Sequence, residues 1–118
     1  MKRVNTVFDE LRVHVPFEVT LHRGRASEFP EKRNMAYCTS ELRIYCAPKM
    51  ERARLDQIQG VLMHEFGHAF AFGCGHMDHK ERDADKIAEL LFGCRIYYDD
   101  DLIQSTRYGL YPRPKHLG

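Results

Sequence analysis

The sequence lacks most of the features that would place it at once in a broad class. It has almost no net charge, with 18 Lys and Arg against 17 Asp and Glu over 118 residues and a formal charge of +1. No long-range field selects a polyanion, so a nucleic-acid partner is not expected. No apolar run approaches the roughly 20 residues that cross a bilayer, and the first ten residues lack the apolar core of a secretory leader. No membrane association is expected, and the expected compartment is the cytoplasm. There is no CxxC pair: Cys38 and Cys46, eight positions apart, are the nearest two of four cysteines, with Cys74 and Cys94 further on. That spacing disfavours a four-cysteine zinc knuckle, and without a secretory signal the thiols are expected to be free. Repeats and low-complexity stretches are also missing.

What is present fits one small globular domain spanning residues 1–118, with 108–118 as an extended tail. The hydrophobic fraction of 43 % and charged fraction of 30 % are too balanced for a disordered or collagen-like chain. The charge is unevenly placed. Residues 1–54 hold 11 basic and 7 acidic side chains, whereas residues 55–118 hold 7 and 10, so the second half suits a cation.

Apolar residues at Val4, Val7, Phe8, Leu11 and Val15 recur at spacings of three and four, which predicts a helix over 4–15 stopped by Pro16. Residues 17–22 alternate and read as a half-buried strand, followed by a loop through Pro30. Residues 35–38 and 42–47 read as two short strands forming a hairpin. After Pro48 comes a long proline-free segment, 49–73, that is charged up to Asp56 and then apolar nearly all round, as in a central buried helix. Gly60, Gly67 and Ala71 share a narrow arc of that helix, where small residues let another element or a substrate backbone approach. A second helix is expected from about 79 to 91, with Ala84, Ile87, Ala88 and Leu91 inward and Gly93 as its stop. Residues 95–98 read as a short strand, and Asp99, Asp100 and Asp101 as a solvated turn rather than a calcium loop. The whole is an α+β fold with a small twisted sheet packed on an active-site helix and a second helix.

The chemistry is concentrated in His64-Glu65-Phe66-Gly67-His68, an HExxH motif within the predicted buried helix. The i, i+4 spacing stacks both imidazoles on one face, where their nitrogens converge on one tetrahedral cation. Glu65 lies beside that face and reaches a water rather than the metal, as a general base must. Two imidazoles and a carboxylate are costly to desolvate unless something coordinates or pairs them. Zinc is therefore the expected cofactor, and a third ligand is required from among Cys74, His76, Asp78, His79, Glu81 and Asp85. Cys74 stands where a metzincin has its third histidine, but Ala71 replaces the turn glycine of that pattern. Glu81 and Asp85 share one face of the next helix, so Glu81 could bind zinc while Asp85 orients a ligand histidine from behind. A ligand role for His76 or His79 would instead resemble the SprT-like proteins.

HExxH followed by Glu81 and Asp85 in an ExxxD pattern on a second helix resembles the gluzincin metallopeptidases. The resemblance covers residues 64–93, roughly a quarter of the chain, and the short connection between the motifs is similar to that of the minigluzincins and of small phage or bacterial zincin-like proteins. It implies His64, His68 and Glu81 as zinc ligands, Glu65 as general base and acid, Asp85 behind the ligands, and a minimal zincin-like fold. The implied activity is hydrolysis of a peptide or protein substrate by zinc-activated water, with the substrate strand antiparallel to an edge strand at 35–38 or 42–47. Tyr97, Tyr98, Arg107, Tyr108, Tyr111 and His116 are the available donors to the oxyanion. The rival expectation is a zinc-stabilised peptide- or protein-binding regulatory module with little turnover. The chain is expected to be a monomer or to self-associate weakly through its tail, which could enter the site as a pseudo-substrate.

Overall fold

The computed structural model describes residues 1–31, 34–99 and 102–107. In chain order the elements are α1 (Lys2–Arg12), β1 (Thr20–Arg23), β2 (Ala36–Cys38), β3 (Arg43–Cys46), α2 (Leu55–Gly73), α3 (Glu81–Phe92), β4 (Cys94–Asp99) and β5 (Leu102–Arg107), with 3-10 turns at Ala26–Glu28 and Pro48–Arg52. The fold is α+β, as expected. Among the described residues no helix is long and apolar enough to cross a membrane, and no disulfide joins the four cysteines.

α2 is the axis of the molecule. Thirteen of its 19 residues are buried, from Gln57 through Ala71, so every face of the helix meets another element. α1 lays Val4, Val7, Phe8 and Leu11 against it, with the Phe8 ring stacked on Phe66 at 5.1 Å. α3 packs along another face through Ala84 and Ala88, and the sheet and β5 close the remainder. Two of the small residues on α2 are explained by these approaches. A Cβ on Gly60 would lie 2.6 Å from the backbone carbon of Gln104 in β5, and one on Gly67 would collide with the carbonyl oxygen of Ala84 in α3. The arc of small residues therefore receives neighbouring backbone from two sides.

The three-stranded sheet has the order β1-β3-β2. β1 runs parallel to β3, with Leu21 opposite Ile44, and β2 runs antiparallel to β3, with Tyr37 opposite Tyr45. The hairpin read at 35–38 and 42–47 is thus present, but 42–47 lies at the centre of the sheet and cannot offer an edge. β2 is one edge strand and β1 is the other. The turn after β2 holds Leu42 at a φ of 63°, a left-handed conformation unusual for a side chain of this size, while Leu42 packs against the core.

Several elements differ from the periodicity. α1 ends at Arg12 rather than 15, because the residue before Pro16 is pushed out of the helical region and the chain closes with tighter bonds from His14 and Val15 to the carbonyls of Leu11 and Arg12. The strand expected over 17–22 begins only at Thr20, since its partner β3 starts at Arg43. Phe17 instead sits edge-on to Phe70 at 5.5 Å. β5 has no counterpart in the sequence reading. Its central residue, Gln104, is buried on Gly60, so the strand carries no apolar alternation. β4 and β5 pair antiparallel from Cys94 opposite Arg107 to Asp99 opposite Leu102. Asp100, Asp101 and the tail 108–118 lie outside the described residues. α3 runs from Glu81 to Phe92, with Gly93 left-handed at its end, at a φ of 63°.

Gly67→Ala is expected to destabilise the protein by about 1–3 kcal/mol, the usual cost of forcing a methyl into a filled space, because α3 must move away from α2. Thermal unfolding checks this, and a midpoint equal to that of the parent would contradict the close packing of the two helices.

Candidate metal centre

The helical repeat of α2 puts His64 and His68 one turn apart, with their rings nearly perpendicular and 4.7 Å between centroids. α3 brings Glu81, in its first turn, against both. The Nε2 atoms of the two histidines are 3.1 Å apart, and Oε2 of Glu81 is 3.0 Å from that of His64 and 2.5 Å from that of His68. Among the described residues, these three form the group whose atoms could hold a metal ion. The histidines are buried or nearly so, while the Glu81 side chain is 74 % exposed and opens the site to solvent.

Asp85, one turn further along α3, lies behind the cluster. Its Oδ1 accepts from His64 Nδ1 at 2.6 Å, and its Oδ2 accepts from the Tyr98 hydroxyl at 2.9 Å. His64 therefore has its Nδ1 occupied and its Nε2 directed at the cluster. Tyr98 comes from β4, so the C-terminal hairpin is tied to the centre through Asp85. Sequence reasoning had counted Tyr98 among the oxyanion donors. Its hydroxyl instead points to Asp85, and that of Tyr97 donates to Gln104 Oε1 at 2.9 Å. Tyr108, Tyr111 and His116 lie outside the described residues.

The remaining ligand candidates separate clearly. Cys74, His76 and Asp78 are exposed in the α2–α3 connection and do not join the cluster. His79 touches it from outside: its Nε2 is 2.6 Å from His68 Nδ1, and its Nδ1 donates to the His76 carbonyl at 2.7 Å. His14 and His22 lie elsewhere, edge-on to Phe92 and stacked on Tyr45.

Glu65 is 5 % exposed and has no hydrogen-bond partner among the described residues. Burial pushes its carboxyl above the usual range; the nearby His64 and His68 oppose that rise, and Glu81 and Asp85 add to it. Burial also opposes charge on His64, but the hydrogen bonds it donates to Asp85 and Glu81 and the field of Glu65 outweigh it and push the imidazolium up to about 10. The hydrogen bonds from His64 and then His68 hold Glu81 well below the ordinary carboxylate range. Cys38 is pushed up to about 12 by burial and by Glu65, so its thiol is neutral at physiological pH.

Two cavities meet at Glu65 and Glu81. One of about 230 Å³ extends past His68 towards Cys38, Phe72 and Met77, and another of about 120 Å³ extends past His64 towards Asn34, Val61 and Ile103. Ala36 of β2 lines both, so the edge strand runs along the whole opening. The register fixes which backbone groups it presents. Ala47 N–H bonds to the Met35 carbonyl and Thr39 N–H to the Arg43 carbonyl, which makes Tyr37 the hydrogen-bonded partner of Tyr45 between them. The N–H and C=O of Ala36 and Cys38 then face away from β3.

No family model, curated protein or solved structure matches the chain.

The raised pKa of His64 has a consequence for stability. A group that holds its proton more tightly when folded contributes fully below its unfolded value, here near 6.5, and that contribution is lost as the pH rises through about 10. Metal-free protein is expected to become less stable across that interval, and Asp85→Asn to flatten the loss by removing the leading hydrogen bond. Unfolding midpoints measured across the interval check this. Identical pH dependence in the parent and the variant would contradict the pairing.

Proposed function

We propose that the protein is a zinc-dependent peptidase with a minimal zincin-like fold, in which His64, His68 and Glu81 hold the metal and Glu65 is the general base. The observation that carries this reading is the convergence of two imidazole nitrogens and a carboxylate oxygen on one point, beside a buried carboxylate with no hydrogen-bond partner among the described residues.

The donor set fits zinc. Nitrogen and oxygen ligands at about 2.0–2.1 Å around a tetrahedral ion stand about 3.3–3.4 Å apart. The edges of 2.5–3.1 Å are short of this by a few tenths of an ångström or more, with the tightest involving Glu81, whose exposed side chain has room to move outward. His64, His68 and Glu81 would hold zinc as three protein ligands, the number found in catalytic rather than structural zinc sites. Zinc held there would supply Lewis-acid activation of water at neutral pH.

The chain's own residues do the rest. Asp85 holds the His64 ring by its far nitrogen, and Tyr98 holds Asp85. An extended peptide has hydrogen-bonding groups available to it at Ala36 and Cys38, and side chains on either side of the scissile bond have the two cavities. Glu65 accepts the proton of the attacking water as oxygen bonds to the carbonyl carbon. It returns that proton to the departing nitrogen as the C–N bond breaks. In the metal-free chain burial pushes the Glu65 carboxyl up, the direction that favours a group which accepts and then donates a proton. A purely structural metal site gains nothing from a buried carboxylate in that position, and this favours turnover over a binding module.

Glu65→Gln is expected to retain zinc and fold but to lose cleavage of a peptide library by orders of magnitude, whereas Glu81→Ala should lose both zinc and cleavage and His76→Ala neither. Metal analysis and library digestion of the four proteins test this together. Equal cleavage by the parent and the Glu65 variant would remove the mechanism, and full zinc in Glu81→Ala would remove the ligand set.

A further inference from the structure

The two cavities that meet at Glu65 differ in size and in what borders them. The one past His64, about 120 Å³, is closed at the back: Val61 and Met35 are buried, and β5 lies directly on α2 where Gln104 meets Gly60. The one past His68, about 230 Å³, is nearly twice as large and reaches Phe72 and Met77.

Met77 is 55 % exposed, a large apolar side chain left to solvent at the rim of that cavity. The connection that carries it is tied down on both sides. Gly75 N–H bonds to the Phe72 carbonyl and His76 N–H to the Ala71 carbonyl, each at 2.9 Å, and His79 Nδ1 donates to the His76 carbonyl at 2.7 Å. The Phe72 ring stands edge-on to His79, 4.7 Å between centroids. A ring and a thioether held in this way lose little freedom when an apolar side chain covers them, and the thioether adapts to its shape.

The register of β2 gives the cavities an order along a bound peptide. Asn34 and Met35 border the smaller cavity and Cys38 the larger, so the chain passes from the first to the second as it runs through Ala36. The N–H and C=O of Ala36 both face away from β3. One residue of an antiparallel strand satisfies both, whereas parallel bonds are slanted and slightly weaker. An antiparallel peptide lies with its N-terminal part at the larger cavity and its C-terminal part at the smaller.

We infer that the peptides this site takes carry a large apolar side chain on the N-terminal side of the bond that is cut and a small one on the C-terminal side, with Phe72 and Met77 as the residues that select the first. This rests on the peptidase reading above and adds to it the class of substrate. The cavity itself is a property of the metal-free chain and is tested there as well.

The test has two arms on full-length protein. In the first, zinc-loaded parent, Met77→Glu and Met77→Leu digest a peptide library, and mass spectrometry reads the residues on each side of every cut. The parent is expected to favour phenylalanine, leucine or methionine over alanine on the N-terminal side by roughly 10- to 100-fold in kcat/KM, as burial of such a side chain allows, and glycine, alanine or serine on the other. Met77→Glu should lose most of the first preference and gain cleavage after lysine, while Met77→Leu keeps it. In the second arm, metal-free protein is titrated with a capped alanine pentapeptide and with the same peptide carrying phenylalanine at its centre, and the Met77 methyl signal is followed by NMR. The phenylalanine peptide should bind more tightly and shift that signal. Equal binding of the two peptides overturns the inference, as do cuts with the large residue on the C-terminal side or a preference unchanged in Met77→Glu. If the parent cuts nothing while the phenylalanine peptide still binds more tightly and shifts Met77, the apolar subsite stands and the peptidase reading fails.

Discussion

The structure turns on the cost of placing ionisable groups on a buried helix. Removing a carboxylate or an imidazolium from water costs several kcal/mol per ion after relaxation, and α2 carries His64 and Glu65 at 4 % and 5 % exposure, with His68 close behind. The apolar surface around them cannot offset that cost, since it offers no hydrogen bonds. The compensating groups come from α3, and they reach His64 and His68 only because α3 lies unusually close. Gly67, between the two histidines in sequence, is the point of closest approach, and the methyl it lacks would occupy the Ala84 carbonyl. The HExxH helix and the helix bearing Glu81 and Asp85 are therefore one packing solution. The same backbone contact that fills the core sets the distances among His64, His68 and Glu81.

The sheet contributes by holding an edge open. On its outer face His22, Tyr45 and Tyr37 form a row across β1, β3 and β2, stacked at 5.0 and 5.1 Å, and Phe29 continues the row at 5.7 Å from Tyr37. Cross-strand aromatic pairs of this kind each add up to about 1 kcal/mol to a sheet. Here they brace β2, a strand of three residues with a neighbour on one side, and the Tyr37 hydroxyl adds a bond to Glu28 at 2.9 Å. The inner residues of the strand, Ala36 and Cys38, are small. This keeps the edge from filling the cavities that flank Glu65.

Much of this arrangement was legible because it rests on local periodicity. The stripe from Val4 to Leu11 gave α1, the arc from Gly60 to Ala71 gave the faces where other elements approach, and the i, i+4 pairs His64/His68 and Glu81/Asp85 gave four side chains that do come together. What was not legible depends on pairing between distant segments. Gln104 gave no sign of a strand because its burial is matched to Gly60 on another element. The centre and edges of the sheet could not be told apart while β1 was unplaced, since its parallel pairing with β3 is what makes β3 the centre. Tyr98 and His79 were each visible, as an oxyanion donor and as a rival ligand. Their actual partners, Asp85 and His68, follow from the path of the α2–α3 connection and of β4, which no spacing rule encodes.

The two histidines are held from behind by different chemistry, and the difference matters for Glu65. His64 is backed by a carboxylate, Asp85, and His68 by an imidazole, His79. Burial already raises the pKa of Glu65, and Glu81 and Asp85 raise it further. A second carboxylate behind His68 would bring one more negative charge into the same low-dielectric surroundings, where charges a few ångströms apart interact strongly. That charge would push the Glu65 carboxyl further in the direction in which burial already drives it. An imidazole contacts the ring from behind without bringing a negative charge. The pairing of Asp85 on one side with His79 on the other thus holds both rings while placing one carboxylate rather than two behind them.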